Sequence, residues 1–269
     1  MQDILDFKFF DKGKDPFSNV RHSHEKSYEI ILALSGDGVF LVDDNIFEIK
    51  ANHLYLIDGM TTHCSSPQSP NEYERRKLII NGNMLEETLR MLGAADLSDK
   101  LFAGGGRCIA PSPEGIDAIN SAFYEIDRAI SEKMDFDSMR IKLSIIKILL
   151  IANDSENETA TSTYDENISA ILKYLGDNFR SRLTLDDISE ATHISKYYLC
   201  HSFKQHLNMT VFEYILAKRI SYAKRLLVYS DMSISRISIE SGFSDFAYFS
   251  KIFKKSEGLS PKEYRINNK

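Results

Sequence analysis

The sequence predicts an α+β protein: an N-terminal β-barrel with a helical hairpin, then a C-terminal all-α domain of two helix-turn-helix units joined by a linker helix. Three observations point there. Residues 28–63 alternate short β-branched and aromatic runs (YEIILAL, GVFLV, IFEIK, LYLI) with Gly-Asp-Gly, Asp-Asp-Asn and Asp-Gly turns, the spacing of hairpins. After Pro113 the apolar period changes to 3.6. The last third of the chain repeats itself. Length agrees, because 269 residues at 43% hydrophobic and 27% charged suit two modest cores and exclude a disordered or collagen-like chain.

The elements follow in order. Residues 1–80 read mostly as strand. Ile116, Ile119, Phe123, Ile126 and Ile130 form one helical stripe, and a second helix runs from about Phe136 to Ala152. That helix is apolar on more than one face, with Met139, Ile141, Leu143, Ile145, Ile146, Ile148, Leu149, Leu150 and Ile151. Burial between the two domains and a homodimer interface both account for it. From Asn153 to Asn167 the text NDSENETATSTYDEN is polar and aperiodic, which reads as a tether. The expected organisation is a barrel at 1–95, a hairpin with dimerisation as its expected role at 96–153, a linker at 154–167 and a helical domain at 168–269.

The tether also separates two charge balances. Residues 1–164 carry 17 Lys+Arg against 27 Asp+Glu, whereas residues 165–269 carry 16 against 12. A basic module behind an acidic one fits a polyanionic partner for the C-terminal part alone, and an ordinary solvated surface fits equally. Cys64, Cys108 and Cys200 are odd in number and far apart, which speaks for a reducing interior and against a disulfide framework or a metal-binding pair. The N-terminus has no apolar run of signal length, and the stretch 143–152 is short and broken by Lys147. A soluble, cytoplasmic chain with no membrane partner is expected.

In the repeat, Leu199, Phe203, Lys204, Asn208, Glu213 and Tyr214 fall opposite Phe249, Phe253, Lys254, Gly258, Glu263 and Tyr264 at an offset of 50. Thr184, Leu185, Ile188 and Ser195 fall opposite Ser233, Ile234, Ile237 and Ser244 at an offset of 49. Each unit has a cap (Thr184 with Asp187; Ser233), a short helix, a turn, a second cap (Ser195; Ser244) and a second helix. The turn needs positive φ, supplied by His193 and by Gly242, and after each second helix the chain reverses at Asn208 or Gly258.

With Leu199 and Phe203 turned to the core, the second helix of unit one presents Tyr197, Cys200, His201 and Lys204 outward, flanked by Ser195 and Lys196. Unit two presents Ala247, Ser250, Lys251 and Lys254, flanked by Ser244 and Phe246. Such side chains reach base edges in a major groove while lysines and helix N-termini meet phosphates. An ordinary solvated face explains either helix alone, but two such faces on a repeated unit favour double-stranded DNA. Between the units, residues 212–229 form a linker helix about 25 Å long, with Lys218, Arg219, Lys224 and Arg225 mostly outward.

The stretch IESGFSDFAYFSKIFKKSEGLSPKEYR, from Ile239 to Arg265, resembles the signature of the AraC/XylS family of bacterial transcription regulators. Ser195, Tyr198, Leu199, Phe203, Lys204 and Tyr214 resemble the family's first helix-turn-helix, so the resemblance covers about 100 residues. Asn208 stands for a usual Gly and Ser238 for a usual small Ala. The resemblance implies two helices entering successive major grooves and control of transcription, usually activation, with RNA polymerase as a partner in that case.

Upstream, His22-Ser-His24, Glu29 and Gly36 reproduce the first cupin motif, in which two histidines and a carboxylate point into a small β-barrel. The second motif is partial, with His63 in place and Asp58, Gly59 and Met60 for the usual Pro-x-Gly. His22, His24, Glu29 and His63 are therefore candidate metal ligands if they converge. The favoured reading is a metal-free effector pocket lined by Phe7, Phe9, His22, His24, Tyr28, Glu29 and His63, suited to a small polar molecule such as a sugar. The aromatic positions fit core equally. No catalytic residue and no cofactor is expected. By the resemblance, ligand in the barrel changes how residues 1–15 or the hairpin engage the DNA-binding domain. The competing functions are a metal-dependent cupin enzyme with a DNA-binding tail, and a constitutive DNA-binding protein whose barrel only holds a dimer together.

Overall fold

The computed structural model of the chain describes residues 3–12, 27–59, 61, 63–69, 71–103, 106–132, 135–158 and 166–268. Its N-terminal part holds β1 (Ile4–Lys12), β2 (Ser27–Ser35), β3 (Gly38–Val42), β4 (Asn45–Glu48), β5 (Leu54–Asp58), β6 (His63–Pro67) and β7 (Glu74–Asn81). Next come α1 (Gly82–Met91), α2 (Leu97–Phe102), β8 (Gly106–Ala110), α3 (Pro113–Glu132), α4 (Asp137–Asp154) and β9 (Glu156–Glu158). The strands form an antiparallel six-stranded sheet ordered β1-β7-β2-β5-β8-β9 and a three-stranded sheet ordered β4-β3-β6. Two-residue alternation gives each sheet two working faces. In β2, Tyr28, Ile30 and Leu32 join the core under the helices, whereas Ile31 and Ala33 join Phe40, Val42, Phe47 and Tyr55 between the sheets.

The region expected to be helical hairpin and tether also carries strands: β8 and β9 pair with each other and extend the larger sheet. Both are too short (GRCIA, ENE) to show a period in sequence. On α3, Ile116, Ile119, Phe123 and Ile126 are buried as expected, but Ile130 lies at the end of the stripe and is 44% exposed. On α4, Ile141, Ile145, Ile148 and Leu149 fill the core while Met139, Leu143 and Leu150 are exposed on the other side.

The C-terminal part is all helix: α5 (Glu166–Asn178), α6 (Leu185–Thr192), α7 (Lys196–Leu207), α8 (Val211–Tyr229), α9 (Ile234–Glu240), α10 (Phe246–Glu257) and α11 (Pro261–Asn268). Its punctuation follows the sequence. Thr184 and Asp187 close a reciprocal capping box on α6, and His193 (φ 58°) and Gly242 (φ 84°) take the two turns. Asn208 (φ 56°) and Gly258 (φ 76°) end α7 and α10 in the left-handed region. One cap differs: Asp245, not Ser244, accepts the Tyr248 N–H at the start of α10. The extra residue of unit two therefore lies in the turn, and the offset is already 50 at the cap, where Ser195 matches Asp245.

Candidate functional site

The two candidate reading faces are built by burial of their opposite sides. Leu199 and Phe203 of α7, and Phe249 and Phe253 of α10, have no solvent access. That turns Lys196, Tyr197, Cys200, His201 and Lys204 to solvent behind the exposed N-cap Ser195, whose Oγ accepts from the Tyr198 N–H. The Tyr197 and His201 rings stack at 5.6 Å, one turn apart. On α10, Phe246, Ala247, Lys251 and Lys254 are exposed, as is Ser244 in the turn before it, but Ser250 is half-buried. The exposed arc is centred nearer Lys251 and takes in Tyr248, a position sequence reasoning left out.

The linker helix departs from expectation. Lys218 and Lys224 are buried, Arg219 is half-buried, and of the four cations expected outside only Arg225 is exposed. Lys224 pairs with buried Glu257 at 3.1 Å inside unit two. Lys218 reaches the N-terminal domain: its ammonium pairs with Asp43, and with both oxygens of Asp44 at 3.0 and 3.1 Å. Both cations are spent on structure, because a helix packed on both sides by helical units has little solvated face.

Asp43 and Asp44 form the two-residue turn between β3 and β4, with Asp43 at φ 54°. The Tyr214 hydroxyl donates to the Asp43 carbonyl at 3.2 Å and to the Asp44 carboxylate. A Cβ on Gly176 of α5 would lie 2.2 Å from an Asp44 side-chain oxygen, so a larger residue there would displace the Asp44 carboxylate. Around this contact Val39, Leu41, Ile46 and Cys64 share one core with Ile171, Leu175, Leu199, Phe203 and Leu207. Among the described residues, the N-terminal domain meets unit one on the outer face of the three-stranded sheet; residues 1–2 and 13–15 of the expected arm lie outside the described residues.

The inner face of that same sheet closes the barrel. Val42 pairs with His63 and Phe40 with Ser65, and these residues point inward while their neighbours Leu41 and Cys64 point at unit one. His63 Nε2 lies 3.0 Å from Glu29 Oε2, and Lys77 Nζ 3.0 Å from Glu29 Oε1. Beside them the buried Arg75 donates to Asp11 at 3.0 and 2.7 Å and to Ser65 at 3.1 Å, with the Tyr73 ring 5.0 Å away. Burial alone would raise the Glu29 carboxyl; His63 and Lys77 reverse that and hold it far below the usual carboxylate range. Burial alone would lower His63, but Glu29 and the Thr61 carbonyl outweigh it, so the imidazole pKa is raised.

The expected pocket residues therefore divide. Glu29 and His63 meet between the sheets, whereas Phe7, Phe9 and Tyr28 pack on the opposite face, under the helices. Phe7 stacks on Phe123 at 6.3 Å, and the Tyr28 hydroxyl donates to Glu86 at 2.7 Å. His22 and His24 lie outside the described residues. Lys77, Arg75, Ser65 and Asp11 were missed; the signal was the pair Arg75 and Lys77, two apart and so on one face of a strand that continues as Leu78-Ile79-Ile80. Among the described residues no three His, Cys, Asp or Glu side chains form a metal-ligand set. The Lys77 ammonium on the second Glu29 oxygen suits a carboxylate held by cations, and does not fit a divalent ion at that oxygen.

Two sequence families match this chain, a helix-turn-helix domain over residues 188–267 and an AraC-like ligand binding domain over residues 10–99. The chain belongs to the AraC family of transcription regulators. This AraC-family chain is 23% identical over 265 residues to the uncharacterized HTH-type transcriptional regulator YdiP of Escherichia coli K12, covering 96% of this chain and 84% of that one. It is 24% identical to the Msm operon regulatory protein of Streptococcus mutans, covering 89% and 84%. To the HTH-type transcriptional activator RhaR of Escherichia coli K12 it is 24% identical, covering 92% and 87%. Among the described residues no helix is long and apolar enough to cross a membrane.

Proposed function

We propose that this regulator reads double-stranded DNA with α7 and α10 in successive major grooves, and that a small polar effector held in the barrel adjusts that reading. The observation that carries the DNA-reading part is the pair of capped, exposed, hydrogen-bonding faces on a repeated unit. Ser195, Lys196, Tyr197, Cys200, His201 and Lys204 form one face, and Ser244, Phe246, Ala247, Lys251 and Lys254 form the other with half-buried Ser250 at its edge. The effector site centres on Glu29, His63, Lys77 and Arg75, whose charged and donor groups suit a polar ligand such as a sugar. Exposed Met139, Leu143 and Leu150 on α4 support a homodimer. The name of one relative, the transcriptional activator RhaR, supports activation, with RNA polymerase as a partner in that case, and a DNA-reading role supports action in the cytoplasm.

The test is binding-site selection on three variants. His201→Ala and Lys251→Ala are expected to change base preference at single positions by about 1–3 kcal/mol. Lys255→Ala, at the edge of the face, is expected to weaken all sequences alike and to lower the salt slope by about one. Identical preferences in all three would reject the assignment of the faces.

A further inference from the structure

Arg219 was expected among the mostly outward cations of the linker helix, and the structure gives it other work. Its Nε donates to the Phe179 carbonyl at 2.7 Å and its Nη2 to the Ser181 carbonyl at 2.7 Å. The guanidinium also faces the Phe243 ring of unit two at 5.9 Å. The loop it grips, residues 179–182 between α5 and α6, leads directly into the cap of unit one at Thr184. From the far side the same loop meets the turn of unit two: a Cβ on Gly242 would sit 2.6 Å from the Arg180 carbonyl oxygen. Phe179 and Arg180 further pack on Tyr222 of α8, at 5.6 and 5.7 Å. One short loop is thus wedged between the linker helix and the turn that precedes the second reading helix.

Next to this wedge lies a cleft of about 720 Å³, with Arg182 and Leu183 before unit one, Thr210 and Glu213 from unit one, and Ser244 and Tyr248 from unit two in its walls. Unit two therefore has open space into which it would move if the wedge were cut. We infer that Arg219 is a positioning residue that fixes the spacing of the two reading helices, by locking the 179–182 loop beneath the turn at Gly242. This rests on α7 and α10 being the reading helices. A planar, five-donor guanidinium serves two carbonyls at once, which a lysine ammonium on a flexible stem does not reproduce.

The experiment uses the full chain and duplexes recovered by binding-site selection with the wild type, then altered by one base pair inserted or deleted between the two halves. Each change rotates one half by about 34° relative to the other, since a turn of DNA holds about 10.5 base pairs. The wild type is expected to lose about tenfold or more in affinity for either altered duplex. Arg219→Ala is expected to bind the original duplex more weakly but to lose only about threefold further, with its salt slope unchanged. Arg219→Lys, which keeps the charge and the stem, is expected to show the same relaxed spacing and serves if the alanine variant does not fold, as judged by thermal melting. A folded variant that keeps the full spacing penalty would overturn the inference. So would a salt slope lower by about one, which marks a phosphate contact instead. Recovery of no duplex would overturn the DNA-reading assignment and this inference with it.

Discussion

Glu29 holds its carboxylate between an imidazole and an ammonium with 2% of its surface exposed. Removing one member of such a cluster strands the others, so Glu29→Gln is expected to destabilise the barrel by about 3–5 kcal/mol in denaturant unfolding. Adding Lys77→Met to it should recover part of the loss, and an unrecovered double variant would mean that the pair is not coupled. The pH dependence has two limbs. The Glu29 carboxyl is depressed on folding, so its contribution is present above the ordinary carboxylate range and is lost as pH falls below it. The His63 imidazole is raised, so its contribution is full below about 6.5 and is lost as pH climbs through the folded value. Urea midpoints against pH should fall on both sides, and Glu29→Gln should flatten both limbs. At this scale the sequence made Glu29 and His63 legible through motif spacing. Lys77 stayed hidden, because its place opposite Ile31 depends on a strand register that local residues do not encode.

Local chemistry was most readable in the helices. The capping box at Thr184 and the left-handed His193, Asn208, Gly242 and Gly258 depend on contacts within a few residues, and sequence alone locates them. α5 went unread although Ile168, Ile171, Leu172 and Leu175 mark a helical stripe, because it precedes the repeat that drew the boundaries. The outward placement of Lys218 and Lys224 failed for a long-range reason: α8 is buried by different partners on opposite sides along its length. On α4, exposed Met139, Leu143 and Leu150 lie opposite the buried face, which is where a second subunit would cover apolar surface. Leu143→Glu and Leu150→Glu are expected to yield monomers by light scattering at micromolar concentration, still folded and still binding half-sites. A monomeric wild type, with and without DNA, would remove that interface.

Among the described residues, the two domains meet across a thin wall. Strands β3, β4 and β6 turn Phe40, Val42, Phe47, His63 and Ser65 toward the barrel interior, and Val39, Leu41, Ile46 and Cys64 toward the first reading unit. A ligand against His63 is therefore one strand's thickness from the core that seats α7. The Asp43-Asp44 turn pins that wall to Lys218 and Tyr214, and the docked domain leaves Tyr197, His201 and Lys204 exposed. On the function proposed above, an effector would act by shifting how unit one is held, by no more than its differential affinity for the two arrangements. The most direct measurement is the affinity for a selected operator duplex, by fluorescence anisotropy, with and without a metabolite found by thermal-shift screening. It compares the wild type with the double variant Asp43→Asn, Asp44→Asn, which keeps a turn residue that tolerates positive φ. The wild-type affinity should change by about fivefold or more on adding ligand, and that of the variant by less than about twofold, with both still bound to DNA. An equal ligand response in the two proteins, or a ligand that stabilises the fold and alters neither affinity, would contradict coupling through this wall.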